Sequence, residues 1–415
     1  MFSFKKVVLS MVLCLIVLGG CNPNQIAMSE ETTIKEENNQ EEKTNVVDEK
    51  EKEILDIYNS IFKMDTHLHL DVPMEKDNMP WTEYIDLREA MKKTGMNAIG
   101  ATFAVDYVKL KYEGHALERF NNALDEIDRI LAYNNIERAL NYEDVIKKYN
   151  AGEPVVIQEV EGGHFLEGDV SRIDDAYNRG LRIFCLLHDN DATPPLGDVY
   201  TNEPAFGGLT TLGADTIKEC ERLGILVDLA HCDDTTVKMA LEVATKPLVI
   251  SHTGPKPDVE PTDGMAKMMT ARLIKKDIAK LVADKGGVVG IWPHLANSPE
   301  EYAKNIKIMV DAIGIDHVCI GTDSKITTEF SEWEDWGNDN KIEKKHDDEK
   351  KKDEGDKPAG FGKKDPNAIN HVWNDVNENF YMSVVRALYN EGFNKEEIAK
   401  ITGENFLRVF KTTTK

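Results

Sequence analysis

The run FKMDTHLHLD, Phe62 to Asp71, ends a strand-like apolar segment in two histidines one residue apart. In a strand, side chains at i and i+2 leave on the same face, so His67 and His69 project side by side. Two adjacent imidazoles are hard to bury without a shared partner, and a metal ion is such a partner, with His its commonest ligand. Taken alone, the run is also compatible with a surface loop or a polar core network. Other apolar runs end in the same kind of residue: Glu161 in VEGGH, then His188, His231, His252 and Asp323. Imidazoles with a carboxylate suit Zn²⁺ or a similar borderline divalent ion. These are more donors than one closed tetrahedral site needs, and two ions bridged by a carboxylate would use them. Such a pair lowers the pKa of a bridging water and polarises a substrate carbonyl. Asp323 is then a natural proton shuttle.

Those residues need a scaffold that brings strand ends together. Eight short apolar runs recur along the chain: IFKMDTHLHL, NAIGATFAV, PVVIQEVEGG, LRIFCLLH, GILVDLAH, PLVISH, GGVVGIWP and HVCIGTD. Amphipathic stretches such as TEYIDLREAMKKTG, LTTLGADTIKECERLG and LIKKDIAKLVADKG lie between them. Near-continuous apolar runs separated by helical patterns predict buried parallel strands with crossover helices. About eight such units predict an α/β fold of the (β/α)8 TIM-like barrel type, whose C-terminal strand ends converge on one mouth. A doubly wound open sheet is the alternative, but no Gly-rich fingerprint follows the first strand.

A chain of 415 residues suits one large α/β domain with appendages. The formal net charge of −24 argues against a nucleic-acid partner, because duplex binding needs a basic footprint. The N-terminus reads as a secretory signal over residues 1–20: basic MFSFKK, then an apolar stretch, then small residues before Cys21. That order resembles a lipobox and predicts a diacylated Cys21, placing the protein outside the cytoplasm, lipid-anchored to a bacterial cell membrane. Residues 21–52 are acidic and lack apolar periodicity, which predicts a solvated tether. The domain is expected over 53–415, with a charged insertion at about 338–367 that reads as a long loop. Cys185, Cys220, Cys232 and Cys319 form no close pairing motif and read as small buried hydrophobes.

The ordered pieces VEGGH, GLRIFCLLH, RLGILVDLAHCDDTT, KPLVISHTG, GIDHVCIGTD and ITGENFLRVF resemble the membrane dipeptidase (renal dipeptidase-like, M19) family of metallopeptidases, a branch of the amidohydrolase barrels. The resemblance runs from about Ile54 to Phe410, apart from the insertion. It implies two Zn²⁺ ions bridged by Glu161, with His67 on the first and His231 and His252 on the second. It further implies that His188 contacts substrate and steadies the tetrahedral intermediate, and that Asp323 is the acid/base. Arg272 falls where the family places an arginine for the substrate's terminal carboxylate. A homodimer and a dipeptide substrate, including one with a C-terminal D-residue, are implied likewise.

Two departures stand out. The family usually has His-x-Asp where this chain has His67-Leu68-His69, although His-x-His is common in the wider superfamily and keeps His69 a metal ligand. After Asp323 the family commonly has another acidic residue and Gly, where this chain reads GTDSK. The expected activity is therefore a zinc-dependent dipeptidase. The alternatives are a related amidohydrolase acting on another amide or lactam, a barrel that keeps metal without turnover, and a solute-binding lipoprotein. DTHLHLD also resembles the opening of TatD-type deoxyribonucleases, against which the export signal, the acidity and VEGGH speak.

Overall fold

The computed structural model describes residues 49–76, 85–259, 269–326, 370–373 and 375–414. The expected signal, Cys21, most of the tether and the charged insertion lie outside the described residues. Two compact units divide at residue 56. Of the first, residues 49–56 are helical. The second, 57–415, holds the sheet and the candidate site.

All eight apolar runs form strands: β1 Met64–His69, β2 Ala98–Thr102, β3 Val155–Glu161, β4 Leu181–Cys185, β5 Leu226–Asp228, β6 Val249–Thr253, β7 Val288–Ile291 and β8 Val318–Ile320. Each pairs in parallel with the next. After Gly321, Thr322 and Asp323, the same run continues as β9, Ser324–Lys325, and pairs in parallel with β1. One segment therefore joins both edges of the sheet and closes it into a barrel. The helices on its flanks are α1 Leu87–Thr94, α2 His115–Tyr133, α3 Tyr142–Asn150, α4 Arg172–Asn178, α5 Thr211–Leu223, α6 Asp234–Val243, α7 Lys276–Asp284, α8 Pro299–Ile313, α9 Phe380–Asn390, α10 Lys395–Ala399 and α11 Asn405–Thr413.

Local sequence explains these elements. In α5, the Thr210 hydroxyl accepts from the Gly213 N–H, and Gly224 ends the helix at φ 89°. Such an N-cap contributes about 1 kcal/mol. The face carrying Thr216, Ile217 and Cys220 is buried, and one side chain such as Ile217 contributes roughly 1.5–3 kcal/mol there. The four cysteines Cys185, Cys220, Cys232 and Cys319 are unpaired and buried, as their apolar settings predict. Among the described residues, no helix is long and apolar enough to cross a membrane.

The two ends of the barrel differ chemically. Met64, Ala98, Val155, Ile183, Leu226, Val249, Val288 and Cys319, one from each of β1 to β8, form a single apolar cluster. Phe62 and, from α11, Phe406 and Phe410 are among the residues that join it. This plug lies toward the strand starts, so the polar residues at the strand ends face the other mouth. In between, the strands come very close. A Cβ on Gly290 would lie 1.8 Å from the Ser251 carbonyl oxygen, and one on Gly321 would lie 1.9 Å from it. Neither clash can be relieved by a rotamer change, because the obstacle is backbone. Gly290→Ala should therefore cost about 3 kcal/mol, read as a lower urea midpoint or loss of soluble protein. An unchanged midpoint would mean that β6 and β7 are further apart than described.

Candidate metal centre and active site

Two buried aspartates shape the strands that carry the histidines. Asp65 Oδ1 accepts from the N–H of His67 at 3.2 Å and of Thr322 at 2.9 Å, and its Oδ2 accepts from the Thr322 hydroxyl at 2.6 Å. Asp228 Oδ1 does the same for the N–H of Ala230 at 3.0 Å and of Ser251 at 2.9 Å. Each carboxylate satisfies one N–H two residues on and one on a neighbouring segment. The register slips nearby, between Asp65 and Leu68 and between Ile250 and Thr253. Another slip, between Gln158 and Glu159, precedes Glu161. Bulges of this kind re-aim side chains next to sites.

Glu161 is the centre of the result. Its carboxylate lies 3.3 Å from His67 Nε2, 3.4 Å from His69 Nε2, 3.4 Å from His188 Nε2, 2.8 Å from His231 Nε2 and 3.7 Å from His252 Nε2. His252 Nε2 and His231 Nε2 are 3.1 Å apart. Asp323 Oδ1 approaches His69 Nε2 at 3.2 Å and His67 Nε2 at 4.0 Å. His231 and Asp323 have φ of 66° and 51°, the left-handed region. Such backbone costs of order 1–3 kcal/mol per residue and concentrates at functional sites.

The strand ends needed adjustment. His188, His231 and Asp323 do not end their strands: β4 stops at Cys185, β5 at Asp228 and β8 at Ile320, three residues earlier in each case. The reason at β5 is Asp228 itself, whose side chain takes the N–H groups a longer ladder would use. Both histidines therefore reach the mouth from loops.

The far ring nitrogens of the histidines have partners that fix their orientation. His67 Nδ1 meets Glu159 Oε1 at 3.0 Å, His188 Nδ1 meets Asp106 Oδ1 at 2.6 Å, and His231 Nδ1 meets Asp189 Oδ1 at 3.1 Å. His252 Nδ1 lies 2.9 Å from the Ser251 hydroxyl. Such partners leave Nε2 facing inward, the arrangement by which ligand histidines are oriented. Arg272 sits in a short 3-10 turn, Thr270–Arg272, and donates through Nη2 to Asp189 Oδ2 at 2.7 Å. The same aspartate thus links Arg272 to His231, which places the arginine at the mouth. The sequence reading missed Asp65, Asp228, Asp106, Glu159, Asp189 and His294, the last 3.6 Å from Asp323 Oδ2. A signal existed for Asp106 and Asp189, since each directly follows an apolar run or its terminal histidine. For the others, only the fold brings the partners together.

Charge in the cluster is tightly balanced. Burial raises the cost of ionising Glu161, yet His188 and His67 beside it hold its carboxyl well below the usual range. Burial works against protonation of His188, but Asp106 and Glu161 outweigh it and hold the imidazole up at about 10. His69 is held at about 9 in the same way, burial being overcome by Asp323 and Asp71. The carboxylates demand positive charge in this pocket. His67 Nε2 and Glu161 Oε2 are buried and make no hydrogen bond. The ligand atoms of His67, His69, Glu161 and Asp323 lie within 4.8 Å of one another, as do those of Glu161, His188 and His231. A buried, oriented set of imidazole and carboxylate donors, two of its atoms without a hydrogen bond, fits a divalent cation.

Comparison with known proteins agrees with this chemistry. A family model, Membrane dipeptidase (Peptidase family M19), matches residues 51–345. Dipeptidase 3 of Mus musculus is 29% identical over 201 residues, which cover 46% of this chain and 37% of that relative. The match thus spans little more than a third of the relative's length. An amidohydrolase from Pseudomonas aeruginosa superposes with a TM-score of 0.65 at 18% identity, covering 87% of this chain and 98% of the other. A metallo peptidase from Rhodobacter sphaeroides, solved with a phosphinate mimic of the dipeptide L-Ala-D-Ala, gives 0.57 at 16% identity, covering 85% and 99%. At these identities the solved structures bear on the fold, which they share.

Proposed function

This chain belongs to the membrane dipeptidase family, peptidase family M19, and on that premise we propose that it is a zinc-dependent dipeptidase. The observation that carries the reading is the single carboxylate, Glu161, within 3.7 Å of five imidazoles, two from β1, one from β6 and two from the loops after β4 and β5. In this reading His67, His69 and Glu161 hold one ion, and Glu161, His231 and His252 hold a second. Zn²⁺ bound there supplies Lewis acidity toward the scissile carbonyl and an acidified water.

The chain's own residues do the rest. His188, its Nδ1 tied to Asp106, presents Nε2 to the carbonyl oxygen and donates to it as negative charge builds. Asp323 takes at Oδ1 the proton that the attacking water gives up and passes it to the leaving amine. Arg272 receives the substrate's terminal carboxylate, with Asp189 holding the guanidinium in place. Anchoring through a lipidated Cys21 would set the domain on the outer face of the cytoplasmic membrane, where short peptides from the wall or medium are at hand.

The test is metal content together with turnover. The purified full chain should carry about two ions and hydrolyse members of an L,L and L,D dipeptide panel. A chelator should abolish the activity and added Zn²⁺ should restore it. Dipeptides ending in a D-residue belong in the panel because the Rhodobacter sphaeroides relative was solved with a mimic of one. Metal without turnover on any dipeptide would redirect the reading to another amide or lactam. No metal at all would favour a solute-binding role.

A further inference from the structure

His69 and Lys325 are far apart in the sequence and neighbours in space. His69 stands opposite Lys325 in the pairing of β1 with β9. Asp71 lies between their side chains. Its Oδ1 is 3.3 Å from His69 Nδ1, and its Oδ2 pairs with the Lys325 ammonium. The Tyr107 hydroxyl is 3.0 Å from the same Nδ1, and the Lys325 ammonium sits 5.7 Å from the centre of the Tyr107 ring. Asp71 thus stands on the Nδ1 side of the ring, the Tyr107 hydroxyl lies along the ring edge at 3.0 Å from Nδ1 and 3.3 Å from Nε2, and Nε2 faces Glu161 at 3.4 Å and Asp323 at 3.2 Å.

An aspartate at position 69 would need none of this. Its two oxygens are equivalent and carry no tautomer. An imidazole offers a lone pair at one nitrogen only when its proton is fixed on the other. Exchanging carboxylate for imidazole also removes one negative charge from the pocket. Asp71 places a carboxylate beside the ring instead, and Lys325 balances that charge from the oxygen facing away from His69.

We propose that Asp71, clamped by Lys325 and flanked by Tyr107, is the positioning residue that makes His69 an Nε2 ligand of the first metal position. The proposal rests on the metal-centre reading above, and the experiment separates the two.

The full chain is titrated with Co²⁺ while its visible absorption is followed, and Zn²⁺ affinity is measured by competition with a chromogenic chelator. Two variants are compared with the parent: Asp71→Asn, and the double variant Asp71→Leu with Lys325→Met. The double variant removes the pair as a unit and leaves no buried charge unpartnered, so the fold should persist. In both, one of the two ions should bind about 10- to 100-fold more weakly, with altered cobalt bands for that position and the other ion unaffected. Parent-like affinity with unchanged bands, or equal weakening of both ions, overturns the role of Asp71. Failure of the parent itself to bind either metal overturns the metal-centre reading, and this proposal with it.

Discussion

Glu161→Gln should leave a folded barrel that holds at most one ion and hydrolyses dipeptides at least about 1,000-fold more slowly, the equivalent of roughly 4 kcal/mol of barrier. Glutamine keeps the shape of the side chain and removes its charge. The effect should be large because Glu161 is shared. Its Oε1 faces His67, His231 and His252, and its Oε2 faces His69 and His188. An amide offers one neutral oxygen where the carboxylate offers two charged ones, so it cannot serve both halves of the cluster. Loss of one ligand at the edge, by contrast, leaves the other half intact. Elemental analysis and a dipeptide assay on the same preparation read both effects. Two ions bound with parent affinity would remove Glu161 from the bridging position.

Asp323→Asn should separate binding from chemistry. Metal content should stay at the parent level while turnover falls by about 10²- to 10⁴-fold, the range for a lost general acid/base. The substitution suits the site. Asparagine tolerates the left-handed backbone that Asp323 adopts. The backbone N–H of residue 323 can still donate to the His67 carbonyl, 3.1 Å away. The Asp323 side chain is 24% exposed whereas that of Glu161 is 1% exposed, so Asp323 is the one that can reach a substrate nitrogen at the mouth. Full activity in the variant would reject the proton shuttle. Loss of an ion would instead make Asp323 a ligand, as its distances to His67 and His69 allow.

Much of the frame was legible in the chain itself. Eight apolar runs became eight strands because parallel strands buried on both faces are apolar along their whole length. The histidines and carboxylates at their ends could be read as one group because a barrel has one C-terminal mouth. Glu161, His67 and His252 lie in strands, where position along the run decides where the side chain goes. What determined the remainder was tertiary structure. Asp65 and Asp228 look like ordinary strand residues in sequence, and only contact with Thr322 and Ser251 shows that they hold the strands that aim the histidines. The link from Arg272 through Asp189 to His231 joins loops far apart in the chain. His69 and Lys325 look unrelated in the sequence until β9 pairs with β1. Periodicity reports what is buried, a property of each segment alone. Which polar group meets which across the barrel depends on register, bulges and closure, and these exist only once all the strands have packed.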